Sequence, residues 1–260
     1  MKRFLMVVIL LFASQAYALE WQDSPQVGQL FRDAGVSGTF VLYDVAALRL
    51  IGYDQKRADT RFAPASTFKI FNTLVGLASG AVKDVDQILP YGGSPQPVKA
   101  WEKDMSLRDA IAISNVAAYQ VLARRIGLER MRKEISGMNY GNGEIGTSID
   151  NFWLVGPLAI SAIEQTQLLA QLAEGALPFP KEMQASVREI IRLEQKDNYA
   201  LYGKTGWGNF PDPGIGWWVG WVQKEGRVYA FALNIDMQRA SDAGKRAELG
   251  RACLKALGIF

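Results

Sequence analysis

Ser66 and Lys69 stand three residues apart in Pro64-Ala65-Ser66-Thr67-Phe68-Lys69. On a helix this spacing brings a hydroxyl and an amine onto one face, a turn apart. A serine hydroxyl is a weak nucleophile until a neighbouring base takes its proton. Histidine, the usual base, is absent from the chain, which excludes a Ser-His-Asp triad and histidine-bound zinc. Covalent serine chemistry here therefore calls for a lysine, or a group built on one. Pro64 and the apolar run at 68–77 put Ser66 at or just inside a helix N-terminus, where free backbone amides favour developing negative charge. Lys69 sits between Phe68 and Ile70, and desolvation of its amine is how a lysine becomes a base.

Ser-x-x-Lys alone recurs by chance in most chains, so its meaning depends on what else is present. Ser114-Asn115-Val116 closes one helical run, and Lys204-Thr205-Gly206-Trp207 leaves a strand, with Gly206 allowing close approach of a ligand. These elements must be positioned by the rest of the chain. Strand patterns at 38–44 and 48–53 suit a hairpin. Helical patterns follow at 107–114, 117–125, 128–136, 163–172 and 181–193. Strands return at 200–204, 217–222 and 228–237, before a helix from Arg246 to Leu257. Strands at both ends with helices between predict one sheet built from the two termini, carrying a helical insertion.

The order of the three motifs matches the serine β-lactamases and penicillin-binding proteins. One branch is closer: the chain resembles the class D, oxacillinase-type serine β-lactamases. Ser114 to Val116 has the Ser-x-Val form of that class, and Tyr140-Gly141-Asn142 its Tyr-Gly-Asn element. Asn151 to Leu158 has its Trp-x-x-Gly-x-Leu loop, and Gly216 to Val222 the strand after Lys-Thr-Gly. The likeness covers essentially all of residues 19–260. It implies a mixed α/β fold, with a central, largely antiparallel sheet flanked by helices and a helical lobe. Ser66 would attack a β-lactam carbonyl and become an acyl ester. Lys69 would carry a carbon dioxide-derived carbamate as general base, with no other cofactor and no metal. Ser114, helped by Lys204, would pass a proton to the lactam nitrogen, and the amides of Ser66 and Trp207 would form the oxyanion hole. Trp153 would donate to the carbamate while Val116 keeps the pocket apolar. Thr205, Gly206, Trp207 and Arg246 would bind substrate, Arg246 through the carboxylate beside the lactam ring. Tyr140 and Asn142 are expected to hold a loop and not to react. Substrate breadth falls to the surroundings of Trp101, Val155 and residues 210–216.

Lys2 and Arg3, an apolar core at 4–13 and Ala16-Tyr17-Ala18 read as a secretory signal over residues 1–18, leaving 19–260 as a single catalytic domain in the periplasm. Without Lys2 and Arg3 the formal charge falls from +3 to +1, which gives no reason to expect nucleic acid or an anionic membrane as partner. The expected partners are small β-lactams, with the protein a monomer or homodimer conferring antibiotic resistance. Cys253, the one cysteine, falls in the last helical pattern and reads as core. Glu164 and Glu174 show no paired spacing and read as solvated surface. Two other functions fit parts of the pattern. Penicillin-sensing receptor domains bind lactams without turnover but are normally joined to a membrane-spanning segment. Cell-wall peptidases usually keep Asn in the middle motif and carry an anchor or extra domain.

Overall fold

The computed structural model describes residues 19–209 and 212–260; the expected leader at 1–18 lies outside the described residues. The sheet has seven strands: β1 (Glu20–Asp23), β2 (Gly38–Asp44), β3 (Arg49–Tyr53), β4 (Arg192–Gln195), β5 (Tyr199–Gly208), β6 (Gly214–Lys224) and β7 (Arg227–Met237). Their order across the sheet is β1-β3-β2-β7-β6-β5-β4. Only β1 and β3 run parallel; the other neighbours are antiparallel. β2 from the first fifth of the chain pairs with β7 from the last, Gly38 opposite Ile235. The sheet is thus built from the two termini, as the strand patterns predict.

Ten helices lie among the described residues: α1 (Pro25–Ala34), α2 (Gln55–Asp59), α3 (Lys69–Ala78), α4 (Leu107–Ala112), α5 (Val116–Ile126), α6 (Leu128–Gly137), α7 (Phe152–Val155), α8 (Ala162–Glu174), α9 (Lys181–Ile190) and α10 (Lys245–Ala256). Because strand side chains alternate, Trp218 joins Phe40, Phe231, Leu249 and Cys253 in a core on the α1/α10 face. Cys253 is fully buried in it, as filler. Trp217 and Trp221 enter the larger core on the other face, with α3, α5 and α8.

Three local readings are corrected. The pattern at 181–193 is not one helix. α9 stops at Ile190, and Arg192 onward pairs with β5, since Ile191 and Leu193 alternate and a partner strand distant in sequence outweighs local periodicity. β1 and α1 add to the expected elements; β1 is short and largely exposed, whereas α1 turns Val27, Leu30, Phe31 and Ala34 onto the smaller core and is well delimited, with Ser24 capping, Pro25 in its first turn and Gly35 left-handed at its end. Glu164 is not plain solvated surface. It closes a capping box with Ser161 at the start of α8 and pairs with Arg61.

Asn142 fixes the loop after α6 to the segment after α7. Its Nδ2 donates to Pro157 O at 2.8 Å, and Ala159 N donates to its Oδ1 at 3.0 Å. Gly141 makes that seam possible: its φ is +53°, and a Cβ there would sit 2.0 Å from Ala159 O. Gly141→Ala should therefore lower unfolding free energy by about 2–4 kcal/mol, combining left-handed strain with overpacking. Urea unfolding of the two proteins measures this, and an unchanged midpoint would contradict the seam.

Candidate active site

Ser66 lies on a 3-10 turn, Ala65–Phe68, that runs straight into α3 at Lys69. The first turn is therefore tighter than the α-helical one predicted, yet the expected pairing is present. Lys69 Nζ donates to Ser66 Oγ at 2.7 Å. Lys69 is completely buried, while Ser66 keeps 8% of its surface. Burial, and after it the charge of Lys204, holds the Lys69 amine well below the ordinary lysine range. The ring of Tyr119 lies 5.5 Å from Nζ.

The turn that presents Ser66 is strained and clamped. Ala65 has φ +49°, a left-handed conformation rare outside glycine. Thr67 Oγ1 donates to Pro64 O at 2.7 Å, and buried Gln165 of α8 donates to the same hydroxyl at 2.8 Å. Trp217 Nε1 on β6 donates to Ala63 O at 3.0 Å. From the other side β5 presses close, since a Cβ on Gly206 would lie 3.1 Å from Pro64 O and 3.3 Å from Thr67 N. Gly206 is thus packed tightly against the turn that carries Ser66. Sequence reasoning misses Gln165, Thr67 and Trp217 as positioning residues. The one cue is a glutamine inside an apolar helix stripe, and it becomes readable only once that face is known to lie inside.

Asn115, between the two motif residues Ser114 and Val116, has a comparable holding role. It caps α5 by accepting from Ala118 N at 3.1 Å, and its Nδ2 donates to Trp101 O at 3.3 Å. Trp101 Nε1 in turn donates to Ile113 O at 3.2 Å. The helical pattern at 107–114 ends early, at Ala112, because Ser114 adopts φ +58°. That turn aims the Ser114 hydroxyl at Lys204, whose Nζ donates to it at 3.0 Å and to Thr205 O at 2.9 Å. Burial, reinforced by the charge of Arg246, pushes the Lys204 amine down to about 7.

Ser66, Ser114, Val116, Thr205, Gly206, Trp207 and Arg246 line one cavity of about 380 Å³, together with Trp101 and Leu154. Lys69 and Lys204 stand behind its wall. Arg246 donates to Ala243 O and Gly206 O, which leaves three of its five N–H groups for a ligand. Trp153 is fully buried and stacks on Phe68, and its Nε1 has no hydrogen-bond partner among the described residues. Val155 departs from expectation: it is exposed and lines a neighbouring cavity, while Leu154 lines the one that holds Ser66. Phe210 and Pro211, part of the loop expected to shape substrate breadth, lie outside the described residues. Tyr140 is buried against Phe68 and Phe71 and stands apart from the cavity, in keeping with a packing role.

The chain is similar to known proteins over nearly its whole length. Residues 32–255 match the family model described as the penicillin binding protein transpeptidase domain. Beta-lactamase OXA-5 of Pseudomonas aeruginosa is 39% identical over 98% of this chain and 96% of its own length. Beta-lactamase OXA-48 of Klebsiella pneumoniae is 36% identical over 92% and 91%. Among solved structures, FUS-1 (OXA-85), a class D β-lactamase from Fusobacterium nucleatum subsp. polymorphum, superposes with a TM-score of 0.89 at 45% identity, covering 92% of this chain and 100% of that one. Sequence, fold and the disposition of the three motifs together place this chain in the class D β-lactamase family.

Proposed function

We propose that the protein hydrolyses β-lactam antibiotics through an acyl ester on Ser66, and so confers resistance to them. The observation that carries this reading is the 2.7 Å bond between Ser66 Oγ and a fully buried Lys69 amine. An ordinary lysine is almost wholly protonated at pH 7 and cannot accept a proton. Burial shifts that balance toward the neutral amine at Lys69, the form able to take the Ser66 proton as Oγ attacks the lactam carbonyl. Amides of Ser66 and Trp207 receive the developing oxyanion, an effect whose loss commonly costs ~2.7–4 kcal/mol. The C–N bond then breaks as Ser114 protonates the nitrogen, drawing on Lys204. Water cleaves the ester and restores the Ser66 hydroxyl. Arg246 fits the substrate carboxylate, with three donors free and a place on the cavity wall.

The surroundings of Lys69 also fit a carbamate. A buried anion needs donors, and Trp153 Nε1 is a buried donor without a partner among the described residues. Lys69 would carry the group and Trp153 and Ser66 would hold it. When formed, the carbamate supplies an anionic oxygen base next to Ser66. Export to the periplasm rests on the leader pattern at 1–18; no helix among the described residues is long and apolar enough to cross a membrane.

Intact-mass spectrometry after brief exposure to a slowly released β-lactam should show one adduct, mapping to Ser66. Ser66→Ala should lose the adduct and turnover together, by roughly 10³-fold or more. An adduct on the Ala protein would refute the assignment.

Carbon-13 bicarbonate should give one labelled lysine resonance, absent from Lys69→Ala. Trp153→Phe keeps an aromatic ring but removes the N–H, a bond to charge worth ~1.5–3 kcal/mol, so labelling should need roughly ten- to hundredfold more bicarbonate. Equal labelling of parent and Trp153→Phe would exclude Trp153 as the donor.

Lys204 gives a third expectation. Its folded value of about 7 lies below the ordinary lysine 10.5, so between these values the unfolded chain binds a proton that the folded chain has released. Stability contributed through this group therefore rises with pH across that window and is lowest below it, with a slope of at most ~1.4 kcal/mol per pH unit. Urea unfolding at several pH values above 7 should show the rise, and Lys204→Met should flatten it. The same slope in both proteins would mean that Lys204 is charged in the fold.

A further inference from the structure

Two lysine–serine pairs meet at the Ser66 cavity. Lys69 Nζ lies 2.7 Å from Ser66 Oγ, and Lys204 Nζ lies 3.0 Å from Ser114 Oγ. Both serines line the cavity, and both lysines are buried behind it. β5 carries Lys204 against the Ser66 turn, for a Cβ on Gly206 would lie 3.1 Å from Pro64 O. The charge of Lys204 is felt at the Lys69 amine. The surroundings hold positive groups and no negative one. Arg246 on α10 donates to Gly206 O, the carbonyl next along β5 from the Thr205 O that Lys204 holds. Arg192, at the start of β4, borders a cavity with Lys204. β6 sets uncharged Val219 opposite Lys204, and the turn between α4 and α5 contributes the Ser114 hydroxyl. Among the described residues, Lys69, Lys204 and Arg246 take part in no ion pair.

The carbamate proposed for Lys69 sets a charge problem, and this inference rests on that reading. As it forms, the neutral Lys69 nitrogen bonds to the carbon of carbon dioxide and one C–O π pair moves onto oxygen. The nitrogen gives up one of its two protons. The site thus gains a negative charge and has one proton to place. A buried anion without a counter-charge is costly. Trp153 offers a hydrogen bond but no charge, and Arg246 is charged before and after. Lys204 is the remaining base. Burial and the charge of Arg246 hold its amine down to about 7, so above that pH it has room for a proton. An anion on Lys69 acts in the opposite sense to Arg246 and favours the Lys204 ammonium.

We infer that Lys204 is the counter-cation of the Lys69 carbamate, keeping within the site, as its own ammonium, the proton that carbamate formation releases. Lys204 then has a part in building the base at Lys69 as well as in protonating the lactam nitrogen through Ser114.

The test reads label and not turnover. Carbon-13 carbon dioxide is titrated into the parent, Lys204→Met and Lys204→Arg from neutral pH upward. The labelled lysine resonance is followed at each pH, and affinity is expressed per dissolved carbon dioxide. A carbamate whose proton goes to solvent tightens about tenfold per pH unit, because one proton leaves with each one formed. Where Lys204 takes the proton none reaches solvent, so the parent should hold a near-constant affinity over roughly a pH unit or more above the Lys204 value. Both variants should lose this plateau and follow the tenfold slope, since Met cannot take a proton and Arg always carries one. Within the plateau Lys204→Met should need several-fold more carbon dioxide than the parent, and Lys204→Arg, with its fixed cation, less than Lys204→Met. A tenfold slope in the parent would overturn the inference. A plateau that survives in either variant would also overturn it, since another group then takes the proton. If Lys204→Met does not fold, Lys204→Arg decides alone. A parent with no labelled lysine at any pH would instead remove the carbamate reading, and this inference with it, while leaving the Ser66 adduct to stand on its own measurement.

Discussion

The burial of the Lys69 amine governs the arrangement around it. An ammonium group taken out of water without a counter-charge is costly, so burial favours the neutral amine. Phe68, Phe152 and Trp153 make the surroundings apolar through mutual ring contacts at 5.0–5.6 Å. Ser66 offers Lys69 its hydrogen-bond partner. The second lysine, Lys204, raises the cost of a proton on the first. The same packing that builds the core therefore sets the acid–base character of the site.

Two strained residues show how the surrounding fold supports that chemistry. Ala65 and Ser114 both hold positive φ, at a cost of order 1–3 kcal/mol each. Each adjoins a residue that the site needs, or is one. Bonds from distant elements offset the strain: Gln165 of α8 and Trp217 of β6 secure the first turn, and Asn115 with Trp101 secures the second. Helices and sheet thus meet at the Ser66 turn, and neither alone would hold it.

Much of this was legible in the chain. Ser66, Lys69, Ser114 and Lys204 announce themselves because their chemistry demands particular residue types at particular spacings, and the strands of the sheet's centre carry apolar runs that no solvated segment would have. The positioning residues were hidden. Gln165 and Thr67 have no special type, and their importance arises only from a bond between residues 98 apart in the chain. The α9-to-β4 change was hidden for a related reason, since Ile190, Ile191 and Leu193 suit either a helix or a strand until β5 is placed beside them. Glu164 looked like surface because a capping box shows itself only where a helix start is already located.

The pairing of β2 with β7 has a consequence for how the protein comes to exist. Gly38 meets Ile235, so the middle of the sheet cannot close until nearly the whole chain is present. The helical lobe, by contrast, consists largely of neighbours in sequence and can form early. Loop closure over so long a span is entropically slow to reward, which makes sheet closure a late event. Trp217, which holds the segment before Ser66, arrives on β6 at the same late stage. A chain cut short before the last two strands would keep all three motifs and still lack the frame that aims them. Activity and completion of the fold are, for this topology, a single event.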